Sequence, residues 1–500
     1  MGRSLEAKRG VFHRMIRVHD AVYLWRYYKE NGWSFLRGIG VRKRNPGTPS
    51  FKRVLEARDR GHVIRDARFV VNADRLDIAA KTLFARAYVE GVSSRWPEAV
   101  YKEHLRSWNN FYEDEPNKET YEDFKNSYIG IIDSYLCGRM NYADSPVVVN
   151  QANGMLRNGG HRVAAAIVTG NLVNVIEEKQ EKERSWGADF FRGKLSEKPE
   201  FLLGEKYLDA MTREYVSLCP EKLFAVIIFP AAKGHRREAD QHLKRIGKVV
   251  NQKVFKHNEL DGESVVLQLY YGEEWNYEGS RGVSNKAEWC FSGKGNLHVY
   301  IIESNMSMQE RVREKEYLRN VWGVDKNSIH MTDTYDEVNI VARMFFHEGT
   351  VETLRRYYSF SPSILNLFDQ YKKALPKGFI DKDRFCIDSS AVMDFFGLRN
   401  AADVDYISIC EELSSRINGV ERHDGKYTGY YPLSVEEMIT DPNNFFYYAG
   451  CKILKLDLVE SMKRTRVTKD PDSASKDLKD IELIENYKKN PKTIPQTTQK

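Results

Sequence analysis

Apolar residues recur along the chain with two spacings, which separate predicted helices from predicted strands. Near the start, Val11, Met15, Val18, Val22 and Trp25 follow one face of a helix. Short apolar runs bounded by turn residues indicate strands, whereas longer stretches with apolar residues every three to four positions indicate helices. The strands predicted in this way include 146–149, 225–229 and 297–303, and the helices include 75–137 and 335–358.

This alternation of strands and helices predicts a multidomain protein of mixed α/β and α+β class. The chain has 500 residues, which exceeds what a single hydrophobic core usually supports. We divide it into a helical, basic N-terminal region, an α+β domain, a central α/β module of unknown role, a C-terminal α/β domain and a disordered polar tail. These regions span residues 1–75, 76–215, 216–350, 351–488 and 489–500.

The predicted N-terminal helix is amphipathic and is followed by the basic run Arg42-Lys43-Arg44. Such a helix either docks on its own protein or lies on an anionic lipid surface or a partner. We favour docking within the protein and keep peripheral contact through the basic N-terminus as the alternative. No run of about 18 apolar residues occurs in the sequence, so we expect no membrane-spanning segment.

Composition and charge narrow the classes of protein to which this chain can belong. Hydrophobic residues make up 41% and charged residues 30% of the chain, which is typical of a soluble globular protein. The formal net charge of +6 suits an anionic substrate. It is too small for a dedicated nucleic-acid binder, so nucleic acid is not an expected partner. The six cysteines lack metal-ligand spacing, which favours reduced thiols and a cytoplasmic location.

One strand–turn–helix–strand segment is the most informative about chemistry. A short predicted strand leads into the turn Asp388-Ser389-Ser390, a helix follows, and the next predicted strand carries Asp403 and Asp405. Residues two apart on a strand share a face, so both carboxylates are expected to reach one Mg²⁺ or Mn²⁺ ion. The hydroxyl and backbone N–H groups of Ser389 and Ser390 are suited to hold a phosphate.

This segment resembles the nucleotidyltransferase superfamily, in which a small-residue turn, a helix and an Asp-x-Asp strand hold metal ions and a triphosphate. The resemblance implies that Asp403 and Asp405 bind the metal and that Ser389 and Ser390 bind the triphosphate. The turn here has Ser-Ser where Gly-Ser is usual, so it lacks the close backbone approach that glycine permits. The resemblance extends to the Lys-Asp-x-x-Asp sequence that begins at Lys476.

Further residues are expected around the same site. The resemblance assigns Lys463 or Lys476 to neutralising phosphate charge. A third catalytic carboxylate is also expected, and Asp457 is our candidate, with the alternative that it caps the helix that follows it. His423 precedes a predicted turn that could lie near the two aspartates.

A second motif, Asn158-Gly159-Gly160-His161-Arg162, lies between a predicted strand and an Ala-rich helix. Glycines let a backbone approach a phosphate, a helix N-terminus offers free N–H groups, and arginine adds a fork of donors. The motif resembles the ParB/sulfiredoxin-like fold, whose members bind or split nucleoside triphosphates. The resemblance implies a nucleotide or phosphate site at residues 158–162. The family's leading acidic residue is Asn158 here, so nucleotide binding is better supported than phosphoryl transfer at this site.

Both motifs indicate metal-dependent nucleotidyl or phosphoryl transfer from a nucleoside triphosphate. We expect a sugar, a sugar phosphate or another small molecule as the acceptor, as in surface-glycan biosynthesis, because similar domains often serve such modification. One alternative is a glycosyltransferase that uses a sugar nucleotide and takes Asp-Val-Asp as its metal motif. Another is a nucleotide-gated DNA-binding protein related to ParB, which the mild net charge argues against.

Overall fold

The computed structural model confirms a mixed α/β architecture, with three separate sheets among the residues that it describes. It describes residues 63–114, 117–141, 145–179, 185–193, 202–277, 281–409, 412–413, 415–470 and 474–490. The predicted amphipathic N-terminal helix and the predicted polar tail from residue 491 onward lie outside these residues. Across the described ranges, no helix combines the length and the apolar character needed to span a bilayer.

The first region surrounds a four-stranded mixed sheet. Its elements in chain order are β1 (Val63–Asp66), α1 (Asp77–Glu90), α2 (Arg95–Asn109), α3 (Tyr121–Leu136), β2 (Val147–Asn150), β3 (Leu156–Asn158), α4 (Gly160–Thr169), β4 (Leu172–Glu178), α5 (Ala188–Phe191) and α6 (Glu205–Leu218). The strand order is β1-β4-β2-β3, in which only the β4–β2 pair is parallel. Strand β1 falls within the stretch that was predicted to be helical.

The central region contains a four-stranded antiparallel sheet in the order β6-β7-β5-β8. Its elements are β5 (Leu223–Ile228), α7 (Arg236–Ile246), β6 (Lys248–Phe255), α8 (Gly262–Leu269), α9 (Arg281–Phe291), β7 (Leu297–Glu303), α10 (Met308–Trp322), β8 (Ile329–Met331), α11 (Tyr335–Phe345) and α12 (Glu348–Thr353). Every residue of β5 is buried, as expected for the apolar run predicted at 225–229.

The C-terminal region holds a five-stranded mixed sheet. Its elements are α13 (Pro362–Ala374), α14 (Phe379–Lys382), β9 (Phe385–Asp388), α15 (Ser389–Phe395), β10 (Val404–Ser408), β11 (Val420–Arg422), α16 (Gly425–Thr428), α17 (Val435–Thr440), β12 (Phe445–Tyr448), β13 (Cys451–Leu454), α18 (Leu456–Lys469) and α19 (Ala474–Lys489). The strand order is β11-β10-β9-β13-β12. Strand β9 therefore lies at the centre, with β10 antiparallel on one side and β13 parallel on the other.

Two large apolar cores support this arrangement. One core extends through the first and central regions, from Ala67 to Leu354. The other belongs to the C-terminal region, from Tyr358 to Ile484, and it packs around β9 and β10. Because β9 and β10 are buried within this second core, side chains at their ends are held in fixed positions.

Candidate metal centre of the C-terminal sheet

Three neighbouring strands bring Asp388, Asp405 and His423 together. Asp388 is the last residue of β9 and lies directly opposite Asp405 of β10 in the antiparallel register. Strand β11 runs parallel to β10 and leads into His423, whose backbone N–H donates to Tyr406 O at 2.9 Å. One carboxylate or imidazole atom from each of the three residues lies within 4.8 Å of the others. Residues far apart in sequence therefore form one compact group.

The imidazole of His423 bridges the two carboxylates. Its Nδ1 lies 2.9 Å from Asp388 Oδ2, and its Nε2 lies 3.4 Å from Asp405 Oδ2. Burial raises the pKa of Asp405 to about 7; repulsion from Asp388 and Asp403 adds to this effect, and attraction to His423 opposes it. Burial lowers the pKa of His423, yet its hydrogen bond to Asp388 and the two nearby carboxylate charges raise that pKa overall. Like charges directly opposite each other on paired strands are destabilising, so this carboxylate pair favours a positive partner between its members.

Asp388 carries a buried oxygen with no hydrogen-bond partner. The residue is 0% exposed, and its Oδ2 accepts a hydrogen bond from Tyr431 OH at 3.0 Å in addition to facing His423. Its Oδ1 is buried and lacks a partner among the described residues. A buried acceptor left in this way costs about 1–3 kcal/mol. A divalent cation would satisfy it, so two carboxylates and one imidazole nitrogen fit such an ion.

Asp403 and Asp405, the predicted metal pair, differ in their contacts. Asp403 precedes β10 by one residue and lies outside the group that Asp405 forms with Asp388 and His423. Its Oδ1 accepts a hydrogen bond from Ser390 Oγ at 3.0 Å. The predicted phosphate ligand Ser390 thus contacts the predicted metal ligand Asp403 directly.

The second predicted phosphate ligand, Ser389, has an unusual backbone conformation. Its φ of 57° lies in the left-handed region, which glycine adopts readily and which costs other residues about 1–2 kcal/mol. The chain needs this conformation to leave β9 and enter α15 at once. The Ser-Ser turn is therefore strained at the position where the resembling superfamily has glycine.

Asp457 lies outside the Asp388–Asp405–His423 group, and both Asp457 and Lys476 are exposed. Asp457 lies in the first turn of α18, its side chain is 72% exposed, and it forms an ion pair with Lys488. No helix-capping hydrogen bond from Asp457 occurs, because the N-cap residue of α18 is Lys455. Lys476 is exposed on α19. The carboxylate that accompanies Asp405 in the group is that of Asp388.

Lys463 belongs to a buried ionic network that joins α18 to α19. Its side chain is 1% exposed, and its Nζ lies 3.2 Å from Asp477 and 2.7 Å from Asp480. Arg466 also contacts Asp477, and Arg399 contacts Asp480. Both aspartates of the Lys-Asp-x-x-Asp sequence are thus paired with cations of the same region, and this network fixes the last two helices against each other.

The 158–162 motif forms a tightly packed start of α4. Gly159 has a φ of 96°, and a Cβ atom there would lie 2.7 Å from Val147 Cγ1. A Cβ on Gly160 would lie 2.8 Å from Arg75 Nη2. Packing restricts both positions, and backbone conformation requires a glycine at Gly159 as well. Asn158 is exposed at the end of β3.

The two remaining members of the motif differ in their surroundings. His161 Nε2 lies 2.9 Å from Tyr101 OH, and burial places the pKa of His161 well below its usual value, so the ring is neutral. Arg162 is half-buried, and burial lowers its pKa. Within the described chain, no carboxylate forms an ion pair with Arg162. Of these two side chains, only Arg162 has donors left for an anion.

A buried charge cluster beside this motif was missed from the sequence. Asp77 accepts from Arg75 Nε and Nη2 at 2.8 and 2.9 Å and also pairs with Lys81. All three side chains are at most 4% exposed, and Arg75 lies 4.4 Å from the ring centre of Trp186. The Asp77–Lys81 spacing of four residues was the available signal, since such a pair shares one helix face.

Two functional candidates of the C-terminal sheet were also missed. Asp388 was recognised only as part of the turn, and Tyr431 was not considered. Neither has a local sequence signal, because each acts through contacts between elements far apart in the chain. Comparison with protein-family models, curated proteins and solved structures gives no match for this chain. Any functional proposal therefore rests on the geometry of these residues alone.

Proposed function

We propose that the chain is a metal-dependent nucleotidyl- or phosphoryl-transfer enzyme whose centre is Asp388, Asp405 and His423. The observation that carries the proposal is the opposition of Asp388 and Asp405 across β9 and β10, with one buried Asp388 oxygen lacking a partner. In enzymes that act on phosphates, a divalent ion is commonly held by carboxylates that face each other next to a phosphate-binding turn. Asp403, one residue before β10, supplies further negative charge beside the group.

The chemistry of the donor set suits Mg²⁺ or Mn²⁺. Carboxylate oxygens suit both ions, whereas the imidazole of His423 favours the transition metal, so we expect Mn²⁺ to bind more tightly. When bound, the ion would contact phosphate oxygens and neutralise the charge that develops during transfer. The chain's own residues position these ligands: Tyr431 orients Asp388 through one hydrogen bond, and Ser390 orients Asp403 through another.

A sugar, sugar phosphate or other small molecule remains our proposed acceptor, with a nucleoside triphosphate as the donor. A glycosyltransferase, the alternative function, would use the same carboxylates and their metal ion to hold the diphosphate of a sugar nucleotide. The two reactions differ in what they release: pyrophosphate in nucleotidyl transfer, and a nucleoside diphosphate in glycosyl transfer. Phosphoryl transfer from a triphosphate would also release a nucleoside diphosphate, but it would leave the acceptor phosphorylated and not glycosylated.

The experiment that tests the proposal combines a product analysis with matched variants. The full chain is incubated with a panel of nucleoside triphosphates and sugar nucleotides plus Mg²⁺ or Mn²⁺, and the released products are identified by mass spectrometry. We expect metal-dependent turnover that is lost in Asp405→Asn and kept in Asp457→Asn, since Asp457 lies outside the group. Turnover that survives in Asp405→Asn, or that fails in Asp457→Asn alone, would reject this assignment.

A second proposed site is nucleotide binding at the start of α4. It is supported by Arg162, which has no ion-pair partner among the described residues, and by the glycine turn that precedes it. Because His161 is neutral and bonded to Tyr101, we assign binding and no chemistry to this site. It would serve the same enzyme as an additional nucleotide or phosphate contact.

A further inference from the structure

A cavity of about 140 Å³ lies where the first, central and C-terminal regions meet. Its wall includes Arg86 of α1, Arg213 of α6, Arg343 of α11 and Lys452 of β13. Empty cavities in proteins are normally apolar, whereas polar ones hold water or a ligand. A cavity with this many cations in its wall is therefore built for a polar occupant.

Most of the charges around the cavity neutralise one another. Five cations and three carboxylates line it. The neutralised pairs are Arg86–Glu214, Arg384–Glu90 and Arg343–Asp383. The second oxygen of Asp383 accepts from Tyr447 OH at 3.1 Å.

Two cations remain without a carboxylate. Arg213 donates to the backbone oxygen of Phe346, and Lys452 Nζ donates to the backbone oxygens of Asp383 and Ile439 at 2.8 and 2.7 Å. Over the described ranges of the chain, neither cation forms an ion pair. Lys452 is 6% exposed, and burial lowers its pKa to about 8. The charge of Asp383 acts on both side chains, but the wall holds five cations and only three carboxylates. This excess of buried positive charge favours an anion between the regions.

We propose that this cavity binds a small oxyanion, either phosphate or a compact phosphate monoester, through Arg213 and Lys452. The volume favours a ligand of this size class, since a cavity of about 150 Å³ admits a molecule the size of benzene. Sites for ligands of nucleotide size are several-fold larger, roughly 300–1,000 Å³. The cavity is thus distinct from the proposed centre at Asp388 and Asp405 and from the site at Arg162.

The position of the two cations gives the anion a structural effect. Arg213 lies on α6 of the first region, whereas Lys452 lies on β13 of the C-terminal sheet. An anion held by both would join these regions, and it would stabilise the folded arrangement by an amount that grows with the logarithm of its concentration. Lys452 also pairs in register with Cys386 of β9, two residues before Asp388. The site is therefore close in the sheet to the proposed metal centre.

The test measures phosphate binding to the full chain by calorimetry and by thermal unfolding. Sodium phosphate is compared with sodium sulfate and with sodium chloride at equal ionic strength. We expect phosphate to raise Tm more than chloride does, and Arg213→Gln to weaken phosphate binding at least tenfold. Arg213→Lys should recover part of the affinity because it restores the charge. Binding by sulfate equal to that by phosphate would indicate a general oxyanion site and still agree with the proposal.

Control variants distinguish this cavity from the other anion site. Arg162→Ala should leave phosphate affinity at the cavity unchanged, because Arg162 does not line it. Arg213→Gln is preferred to a Lys452 variant because Arg213 is only half-buried, and circular dichroism checks that it folds. No effect of phosphate beyond that of chloride, or affinity that depends on Arg162 and not on Arg213, would overturn the proposal. Loss of metal-dependent turnover in Asp405→Asn with phosphate binding intact would separate the two proposals.

Discussion

The starts of α4 and α15 both follow a strand and a tight turn, and both were predicted to hold phosphate, yet they differ in how their charges are satisfied. Beside α4, Asp77 is surrounded by Arg75 and Lys81, and His161 is neutral. At the start of α15, Asp388 faces Asp405 and keeps a buried oxygen without a partner. The difference teaches that a buried carboxylate indicates a metal site only where the fold leaves one of its oxygens without a partner.

The two turns also differ in backbone strain. Gly159 adopts its positive φ without strain and is closely packed against Val147. Ser389 adopts a positive φ although this conformation is unfavourable for serine. Strained backbone of this kind concentrates at functional sites. The turn at Ser389 is therefore the better candidate for a catalytic site. The following variants test this difference between the two turns.

The largest effect is expected from the opposed carboxylates. The double variant Asp388→Asn/Asp405→Asn removes both charges that would hold the ion, so metal affinity and metal-dependent turnover should fall by at least about 100-fold. Calorimetry with Mn²⁺ measures the affinity without depending on the substrate. The control is Asp457→Asn, for which Mn²⁺ affinity should match that of the natural chain. Unchanged Mn²⁺ affinity in the double variant would contradict the proposed metal centre.

The next largest effect is a loss of folding stability when the buried charge cluster beside α4 is disrupted. Asp77→Asn leaves Arg75 and Lys81 buried without their shared counter-charge, which should cost about 3–5 kcal/mol of unfolding free energy. Chemical denaturation followed by circular dichroism measures it. Glu485→Gln is the control, because its partner Arg464 is 49% exposed and such a pair contributes about 0–1 kcal/mol. Equal effects in the two variants would mean that the Asp77 cluster is not a buried ionic unit.

A smaller effect is expected at Arg162. If nucleotide binds at the start of α4, Arg162→Ala removes charge-assisted hydrogen bonds worth about 1.5–3 kcal/mol, or roughly 10- to 150-fold in affinity. Titration of the full chain with ATP and with CTP, in the absence of divalent metal, measures this change. Arg157→Ala on β3 offers a control at a neighbouring arginine outside the motif. Equal affinity in both variants and the natural chain would leave the motif with a packing role alone.

The smallest effect concerns the strained turn. Ser389→Gly should relieve backbone strain of about 1–2 kcal/mol, and the greater flexibility of glycine in the unfolded chain should offset roughly half of it. The net result is a modest rise in Tm. If Ser389 also contacts substrate through its hydroxyl, turnover should fall while Tm rises. A variant that is less stable than the natural chain would show that Ser389 is not strained.

The sequence could predict elements and local motifs better than the completed sites. The apolar runs at 146–149 and 225–229 correspond to β2 and β5 because burial and strand length leave a local pattern. The pairing of Asp388 with Asp405 depends on the register of β9 and β10, which no local spacing encodes. Lys463 appeared suited to phosphate, but the fold surrounds it with Asp477 and Asp480. Contacts between distant elements decide which charges stay available.

The register between β9 and β10 also bears on which changes the chain can tolerate during evolution. Successive strand residues point to opposite faces, so a shift by one position moves every following side chain to the other side of the sheet. A single-residue insertion between Val404 and Asp405 would thus turn Asp405 away from Asp388, whatever residue is inserted. Substitutions elsewhere in the buried strand could be absorbed by repacking. Diverged descendants of this chain should therefore vary in the composition of β10 and keep its length.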